Sequence, residues 1–487
     1  PERPIVLLTR QSHAKVAEQV APRSPHFGIM LAYTPVHHLL LRAFGAPLVM
    51  TSGNVSHEPI AYEDSDALER LSAVADAFLT HNRPIRTRCD DSVVRSVQGS
   101  PVVLRRSRGA APRPLLLGAE LSRPILALGG QSAVTFALGR GQQAFVSHYL
   151  GDLEHYAAYR AYLDAIEHFQ RLFAIEPAVV VHDLHPDYAS TVLARELAAE
   201  RGIERVAVQH HHAHIAATML EHGLDERVIG VAFDGTGYGT DGSIWGGEFL
   251  FCDRLHFERR AHFRPLPLPG AERAVLEPWR IALSCLVDAG EPLDLLPSRT
   301  PNELRAVGKL LESGAFSPRS SGVGRLFDAV SALCGLCSHS TYDGQAAIEL
   351  EWAAHGALTD SAYDFEFEFA ANDTPHVVDT RPLVRGVARD LRGGATPAAV
   401  SRRFHRTVAR IVVDTCERMR AETGHAKVVL GGGVFANAIL IRELEETLPA
   451  RGFELFRPRA YPPGDGGLCL GQLAVAAARD ASCRAGA

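Results

Sequence analysis

The chain lacks the features that mark a membrane, secreted or nucleic-acid-coating protein. Nowhere in its 487 residues does an uncharged apolar run approach the roughly 18 residues of a transmembrane helix. Eight cysteines are too few for a disulfide scaffold, and the leading PERPIVLLTR is not typical of a signal peptide. A net charge of −6 argues against a surface that coats nucleic acid. We therefore expect a cytoplasmic globular protein without membrane or nucleic-acid partners. Because the chain begins with Pro1, we also expect a processed or truncated N-terminus.

Cysteine motifs are equally scarce. Cys334 and Cys337 form the one CxxC, and no second one is present to complete a zinc site. The surrounding RLFDAVSALCGLC has the apolar period of a helix. Because unpaired cysteines are usually core residues, this context favours buried thiols over a redox or zinc centre.

What the sequence does contain is a distinct first block, residues 1–117. In it PIVLLT and PLVMTSGN are typical of buried strands, and SDALERLSAVADAFLTH is typical of an amphipathic helix. The residues from 105 to 124 are rich in Arg, Pro and Gly, which predicts a linker.

Beyond the linker, strand and helix alternate. PILALGG, AVVVHDLHP, VIGVAFDGTGYG and KVVLGGGVFAN are apolar runs that stop at Gly or Asp. The alternation predicts an α/β fold with mostly parallel sheets, in which ligand groups lie at the carboxyl ends of strands. Two glycine-turned strand pairs, near 125–148 and near 229–250, predict two related lobes.

The stretch VQHHHAHIAATMLEHG places four histidines at the start of a predicted helix. His210 and His214 are four residues apart, so on a helix they share a face and can reach one ion. His211 and His212 point elsewhere. Two ligands do not complete a metal site, and a solvated surface pair is the alternative. Asp465, in YPPGDGGLCLGQ, would complete a His₂Asp site with open positions, although such a residue also suits a helix N-cap.

Two glycine-rich stretches would let phosphate groups approach the backbone. FDGTGYGTDGSIWGGE begins with Asp234, Gly235 and Gly237; its glycines free backbone N–H groups to face an anion, and its carboxylate suits Mg²⁺. A glycine-rich hairpin is the alternative, and neither P-loop nor Rossmann spacing is present. GGGVFAN holds Gly432 and Gly433 between a strand and a helix, which suits a nucleotide and equally suits tight strand–helix packing.

Polar and basic residues of the first block suit a polyanionic ligand. Ser52, Asn54 and Ser56 follow PLVM and offer hydroxyl and amide groups to phosphates. Arginines outnumber acidic residues between 83 and 123, which fits ATP or carbamoyl phosphate. A solvated basic face is one alternative. RNA is another, although stacking aromatics are absent from this stretch.

Together these stretches resemble one family, the HypF carbamoyltransferases of NiFe-hydrogenase maturation. YTPVHHLLL, PLVMTSGNVSHEPI, HNRPIRTRCDDSVVR and LRRSRGAAP are similar to the C-terminal part of a YrdC-like (Sua5-like) domain, residues 1–117 here. HDLHPDYAST, VQHHHAHIAA, FDGTGYGTDGSIWGGE, EPWRIAL, GRLFDAVSALCGLC, YDGQAAIELE, GGGVFAN and PGDGGLCLGQ are similar to a Kae1-like domain, residues 118–487. The resemblance implies an α/β YrdC-like domain followed by a two-lobed actin/Hsp70-like domain, with a lobe boundary near 225–230.

The resemblance also implies a reaction. The family converts carbamoyl phosphate and ATP into carbamoyl-adenylate, then passes the carbamoyl group to the C-terminal cysteine of HypE, on the way to the cyanide ligands of the hydrogenase. Carbamoylation of a small-molecule hydroxyl and threonylcarbamoylation of tRNA are the alternatives. The order YrdC-like before Kae1-like, with HDLHPDYAST and YDGQAAIELE, argues against both. A non-catalytic, nucleotide-dependent interaction protein is a third interpretation.

Carried over by motif, the resemblance implies roles for individual residues. His210, His214 and Asp465 would bind the metal, iron or zinc, and serve catalysis. Asp234, with Gly235 and Gly237, would hold nucleotide phosphate or Mg²⁺. The remaining assignments are Gly432, Gly433 and Asn437 to the adenylate site, and Ser52, Asn54, Ser56 and Arg108 to the ATP site of the YrdC-like part.

The chain departs from the family pattern in three respects. It has no match to the acylphosphatase-like and zinc-finger regions or to the first part of the YrdC-like domain, so we expect adenylate formation to depend on sequence outside this chain. The family often has Lys-Asn before Thr-Phe in its first phosphate loop, where GGQSAVTFALGRG has Ala133 and Val134. A lysine missing there removes a phosphate contact.

Overall fold

An alternation of strands and helices, as the apolar runs predict, characterises the computed structural model, which describes residues 2–11, 13, 16–55, 58–296, 298–359, 361–369 and 374–485. Contacts along the chain group it into two units. The first consists of Pro1–Val208 with Arg459–Ala487, and the second of Gln209–Pro458. We expect domain boundaries at residue 117 and near residues 225–230. These boundaries remain predictions, because the two units are defined by contacts and not by domain families. None of the described helices is both long and apolar enough to cross a membrane.

A four-stranded sheet lies at the start of the first unit. Its strands are β1 (Ile5–Thr9), β2 (His26–Ile29), β3 (Val93–Val97) and β4 (Ser100–Arg105). They are ordered β2-β1-β3-β4, and β1 pairs in parallel with β3 while the other pairs are antiparallel. Helices α1 (Pro35–Phe44) and α2 (Asp64–Leu71) lie between β2 and β3 in sequence.

Two predicted elements of this block are wrong. PIVLLT forms β1, but PLVM forms no strand, and Val49 is 75% exposed because no described strand pairs with this segment. The long amphipathic helix ends as α2 at Leu71. Its later apolar positions, Val74 and Leu79, are exposed, so no buried face stabilises further turns.

The expected linker between 105 and 124 is also wrong. The Arg106 guanidinium is buried there and donates to the carbonyl oxygens of Val146 at 3.1 Å and Ala110 at 2.9 Å. The next strand already begins at Leu115. Because a buried arginine holds the segment against the following sheet, it is packed structure and does not act as a flexible connection.

The second sheet of the first unit has four strands, β5 (Leu115–Ala127), β6 (Ala137–Val146), β7 (Val179–Asp183) and β8 (Glu204–Val208). They are ordered β6-β5-β7-β8, parallel except for the β5–β6 pair. Helices α3 (Tyr156–Phe173) and α4 (Ala189–Arg201) and the C-terminal helix (Leu468–Ala485) accompany this sheet. Its core includes Phe136, whose ring contacts those of Tyr162 and Phe169.

One mixed sheet forms the centre of the second unit. Its strands are β9 (Val228–Tyr238), β10 (Ile244–Cys252), β11 (Phe257–Phe263), β12 (Leu266–Pro267), β13 (Arg319–Ser320), β14 (Glu366–Glu368), β15 (His376–Asp379), β16 (Lys427–Gly431) and β17 (Glu454–Phe456). The main path is β14-β15-β11-β10-β9-β16-β17, with β13 joined to β10 and β12 to β13. The helices are α5 (His210–His222), α6 (Glu272–Leu276), α7 (Trp279–Ala289), α8 (Pro301–Ser313), α9 (Val323–Leu333), α10 (Gln345–Ala353), α11 (Arg381–Arg392), α12 (Pro397–Thr423) and α13 (Ala438–Ala450).

Two adjacent parallel strands bring the predicted motifs to one edge of this sheet. β9 pairs with β16 in parallel, with Ala232 opposite Gly431, so both polypeptide runs leave the pairing at the same end. Helix α5 packs on both strands, and Ile215 fits against Gly230, where an added Cβ would lie 2.9 Å from its Cγ1. The predicted glycine-turned pairs are confirmed as the antiparallel pairs β5–β6 and β9–β10.

The CxxC cysteines occur where the helical pattern predicted core. Both are free, and Cys337 is buried while Cys334 is partly buried at the end of α9. Burial raises the pKa of the Cys334 thiol to about 12. The prediction of a buried thiol is confirmed for Cys337, whereas Cys334 is only partly buried.

We predict an acid-sensitive contribution to stability from His148 in the first unit. The residue is 5% exposed, and burial, with a smaller effect of the Arg88 charge, lowers its pKa to about 4. Between pH 6.5 and 4 the unfolded chain therefore binds a proton that the folded chain does not, so the free energy of unfolding falls as pH falls. The full loss is about 3 kcal/mol.

Denaturant unfolding of His148→Gln between pH 4.5 and 7.5 tests this. We expect a shallower fall of the unfolding free energy with acid than in the parent chain. His256, whose side chain is 65% exposed, provides the control variant His256→Gln, with an unchanged slope. Equal slopes in all three proteins would contradict the assignment.

Candidate functional site

The histidine stretch begins α5 directly after β8 ends at Val208. Gln209 N-caps the helix, because its side-chain oxygen accepts a hydrogen bond from His212 N at 2.8 Å. One helical turn then separates His210 and His214, whose Nε2 atoms lie 3.1 Å apart. Both rings are buried, and the predicted shared face is confirmed.

Asp234 meets this histidine pair. Its Oδ2 lies 3.0 Å from His214 Nε2 and 3.8 Å from His210 Nε2. Sequence reasoning grouped Asp234 with the phosphate loop and did not associate it with the histidines. Oδ1 accepts from Gly235 N at 2.8 Å, and Oδ2 accepts from Gly433 N at 3.3 Å. A single carboxylate thus joins the histidine helix, the first glycine loop and the second glycine turn.

The three donors fit a transition-metal ion. A tetrahedral ion with bonds of about 2.1 Å holds its ligand atoms about 3.4 Å apart. The observed separations of 3.0, 3.1 and 3.8 Å lie on either side of that value. Two imidazole nitrogens facing one carboxylate oxygen also form the donor set that zinc and iron prefer.

Electrostatics keep the carboxylate in its ligand form. Burial by itself would raise the pKa of Asp234, but hydrogen bonds from His210 and His214 outweigh it and hold the pKa well below its usual range. Neighbouring His211 is fully buried, and burial, followed by the proximity of His210, lowers its pKa to about 3. The histidine turn therefore carries neutral His211 beside an ionised Asp234.

Asp465 lies in the first unit, at the start of a short 3₁₀ turn, Asp465–Gly467, that leads into the C-terminal helix. A Cβ added to Gly130 would lie 3.0 Å from Asp465 Oδ2, so this carboxylate borders the loop after β5. Thr135 Oγ1 donates to Gly466 O at 3.0 Å and holds the turn against the same loop. The role of Asp465 as a metal ligand stays a prediction.

The glycines of the 233–248 loop have a second purpose that the sequence did not reveal. A Cβ added to Gly237 would lie 2.5 Å from His211 Cε1 and 2.8 Å from His210 Cδ2. Gly432 has φ +101°, and a Cβ there would overlap the carbonyl of Phe233. Because Gly237 and Gly432 lack side chains, the histidine rings and the neighbouring strand can approach closely. This close packing positions the imidazole nitrogens that could bind a metal ion.

Asn437, assigned to the adenylate site, is engaged by its own surroundings. Its Oδ1 accepts from Leu440 N at 2.9 Å as the N-cap of α13, and its amide lies 2.9 Å from His405 Nε2. The side chain is 7% exposed. Any contact of Asn437 with an adenylate stays a prediction.

The residues that we assigned to the ATP site of the first block lie in different surroundings. Ser52 and Asn54 lie on an irregular loop, where Asn54 Nδ2 donates to Val55 O at 2.9 Å. Ser56 lies outside the described residues. Arg108 donates to Asp91 Oδ1 at 2.5 Å and lies 3.4 Å from the ring centroid of Tyr33. Its guanidinium already serves packing within the block, and its contact with ATP stays a prediction.

The sequence did not reveal a buried interaction that holds the glycine hairpin, here called the brace, formed by Glu248, Arg259 and Trp245. Glu248 is fully buried; it accepts from Gly246 N at 3.1 Å and Gly247 N at 3.2 Å, and from Arg259 Nε at 2.6 Å. Burial would raise the pKa of Glu248, but the Arg259 charge lowers it below its usual range. Arg259 also lies 4.0 Å from the ring centroid of Trp245. The sequence signal that could have revealed this interaction is Glu248 itself, the acidic residue at the end of FDGTGYGTDGSIWGGE.

Family models match the chain in three segments. Residues 1–107 match the Sua5/YciO/YrdC model, described as telomere recombination. Residues 120–221 match the HypF Kae1-like domain, and residues 230–472 match the second subdomain of the carbamoyltransferase Kae1-like domain. The predicted fold class, with a YrdC-like part before a Kae1-like part, is confirmed.

Individual proteins agree with the family models. Carbamoyltransferase HypF of Synechocystis is 39% identical over 96% of this chain and 62% of its own length. The chain thus spans somewhat less than two thirds of that relative. A HypF homolog of Cupriavidus necator is 38% identical over 73% of this chain and 91% of its own length.

Solved structures give the same result. The crystal structure of full-length HypF in the phosphate- and nucleotide-bound form superimposes with a TM-score of 0.93 and 41% identity, covering 98% of this chain and 74% of that one. The chain therefore belongs to the HypF family, whose named members are carbamoyltransferases.

Proposed function

We propose that this chain transfers a carbamoyl group from carbamoyl-adenylate, made from carbamoyl phosphate and ATP, to the C-terminal cysteine of HypE during NiFe-hydrogenase maturation. The observation that carries the proposal is the meeting of His210, His214 and Asp234 at two glycine turns. Membership of the HypF family supports the carbamoyl chemistry. Nucleotide in a HypF crystal structure supports ATP as the co-substrate.

The transfer step is a substitution at the carbamoyl carbon. The acceptor thiolate forms a C–S bond while the C–O bond to phosphate breaks, and AMP leaves with the electron pair. The carbamoyl carbon is a poor electrophile, so adenylation supplies the leaving group. His210, His214 and Asp234, with Asp465 as the further ligand we propose, would hold an iron or zinc ion. Such an ion supplies Lewis-acid stabilisation of developing oxyanion charge.

Three buried cysteines of the chain, Cys252, Cys285 and Cys469, are poor acceptors, whereas Cys483 is exposed. Burial raises the pKa of Cys469 to about 11, and burial also raises the pKa of Cys252 and Cys285 strongly. A protonated, buried thiol is neither accessible nor nucleophilic. A nucleotide phosphate near the Asp234 carboxylate needs a cation between the two negative charges, and Mg²⁺ is the partner we propose.

We predict that metal content depends on the histidine–aspartate cluster. His214→Ala and Asp234→Asn should each lower bound iron or zinc by about tenfold or more, because each removes one ligand. Asp465→Asn should do the same if Asp465 completes the site. Elemental analysis of the purified chains measures this. His212→Ala is the control, because the Nε2 atom of that ring lies 2.8 Å from Asp253 O and the residue is not one of the clustered metal-type ligands. Full metal content in Asp234→Asn would contradict its role.

We predict that position 237 tolerates no side chain larger than that of glycine. Gly237→Ala should lower metal content by a similar factor, because the added methyl group displaces the rings of His210 and His211. Gly308→Ala in α8 is the matched control, since a Cβ there meets no atom within 4 Å. That change should leave metal binding intact and favour the helix by up to about 1 kcal/mol. Unchanged metal content in both variants would refute the packing argument.

The transfer itself is tested by mass spectrometry of HypE after incubation with the chain. We expect one carbamoyl group on the C-terminal cysteine when carbamoyl-adenylate is supplied, and none on HypE lacking that cysteine. His214→Ala should abolish transfer. Carbamoylation of a small-molecule hydroxyl or of tRNA, with no product on HypE, would disprove the proposal.

A further inference from the structure

The first turn of α9 packs directly on the glycine-rich end of β9, residues 234–238, which is called the glycine loop here. A Cβ added to Gly324 would lie 2.9 Å from Gly235 Cα, and one added to Gly322, the N-cap, would overlap the carbonyl oxygen of Gly235. Two glycines therefore let the amino end of an eleven-residue helix reach this loop. The partial positive charge of a helix amino end favours an anion at that position.

Arg325, on the same turn, holds a buried guanidinium against Gly235. The residue is 7% exposed, and a Cβ added to Gly235 would lie 2.6 Å from Arg325 Nη2. Its Nε and Nη1 donate no hydrogen bond to any residue that the structure describes. The nearest acid, Asp328, places Oδ2 at 3.2 Å from Nη1, an ion pair without hydrogen-bond geometry. A buried guanidinium with unused donors is costly, so a further partner is expected.

The surroundings of Gly235 specify what that partner must be. Thr236 is exposed and Gly235 is partly exposed, so a ligand can reach the loop from solvent. The Asp234 carboxylate immediately precedes Gly235 and accepts a hydrogen bond from its N–H at 2.8 Å, so an anion bound here needs a positive charge beside it. Arg259, the arginine on the far side of the hairpin, is already paired with Glu248. Arg325 remains as the positive charge for this position.

We infer that Arg325 is a binding residue for a phosphate group of the nucleotide, reaching it beneath Gly235. The inference rests on the proposed function, because that function makes a nucleotide the substrate. A planar guanidinium offers paired donors to two phosphate oxygens, which a lysine cannot reproduce. Gly235 is then glycine because any side chain would displace the guanidinium from the loop.

Calorimetric titration of the chain with AMP and with adenosine tests the inference, because the two ligands differ by the phosphate alone. The parent chain should bind AMP more tightly than adenosine. Arg325→Met should weaken AMP binding by about 10- to 100-fold and leave adenosine binding within about twofold. Arg325→Lys keeps the positive charge but loses the paired donors of the guanidinium. Its affinity for AMP should lie between the affinities of the parent chain and Arg325→Met. If Arg325→Met does not fold, the lysine variant alone decides.

Arg280→Met is the matched control, since it removes another buried arginine of the same unit, one that is paired with Glu277. Its preference for AMP over adenosine should equal that of the parent. Equal losses for AMP and adenosine in Arg325→Met would make Arg325 purely structural and overturn the inference. So would unchanged AMP binding, or a parent chain with no preference for AMP. Carbamoyl transfer to HypE, measured separately, shows whether the proposed function stands in that event.

Discussion

The carboxylate of Asp234 is the interaction on which the rest of the site depends. It receives hydrogen bonds from the backbone of Gly235 and Gly433 and faces the imidazoles of His210 and His214. Four groups from three separate stretches therefore converge on one side chain. A charge buried to this degree is tolerated only because each oxygen has partners, and the same partners fix its direction.

The convergence follows from the sheet. β9 and β16 run in parallel, so the residues that follow their paired segments lie at one edge, as in other α/β folds with sites at strand ends. Helix α5 packs across the same strands and delivers its first turn of histidines to that edge. Glycines at 230, 237 and 432 remove the side chains that would keep these elements apart.

Much of this arrangement could be predicted from the sequence because it is encoded locally. The four-residue spacing of His210 and His214 defines a helix face, and the apolar runs locate the strands, although β9 continues past Asp234 to Tyr238. The pairing of Asp234 with the histidines could not be derived in this way, because it depends on which strand lies beneath α5. The strand predicted at PLVM in the first block was wrong for a related reason. Whether PLVM is a strand depends on a neighbouring strand to pair with, and an apolar run alone does not provide one. Asn437 and Arg108 show a third limit, since their polar groups are engaged by nearby backbone and side chains that no motif reveals.

The brace of Glu248, Arg259 and Trp245 has a consequence for binding energetics. Because backbone amides and an arginine already hold this carboxylate, the glycine hairpin is fixed before any ligand arrives. Glycine-rich segments otherwise lose much conformational entropy when a ligand orders them. Here that entropy has been lost during folding, so the nucleotide that we propose as the ligand would meet a preorganised surface and retain more of its interaction energy as affinity.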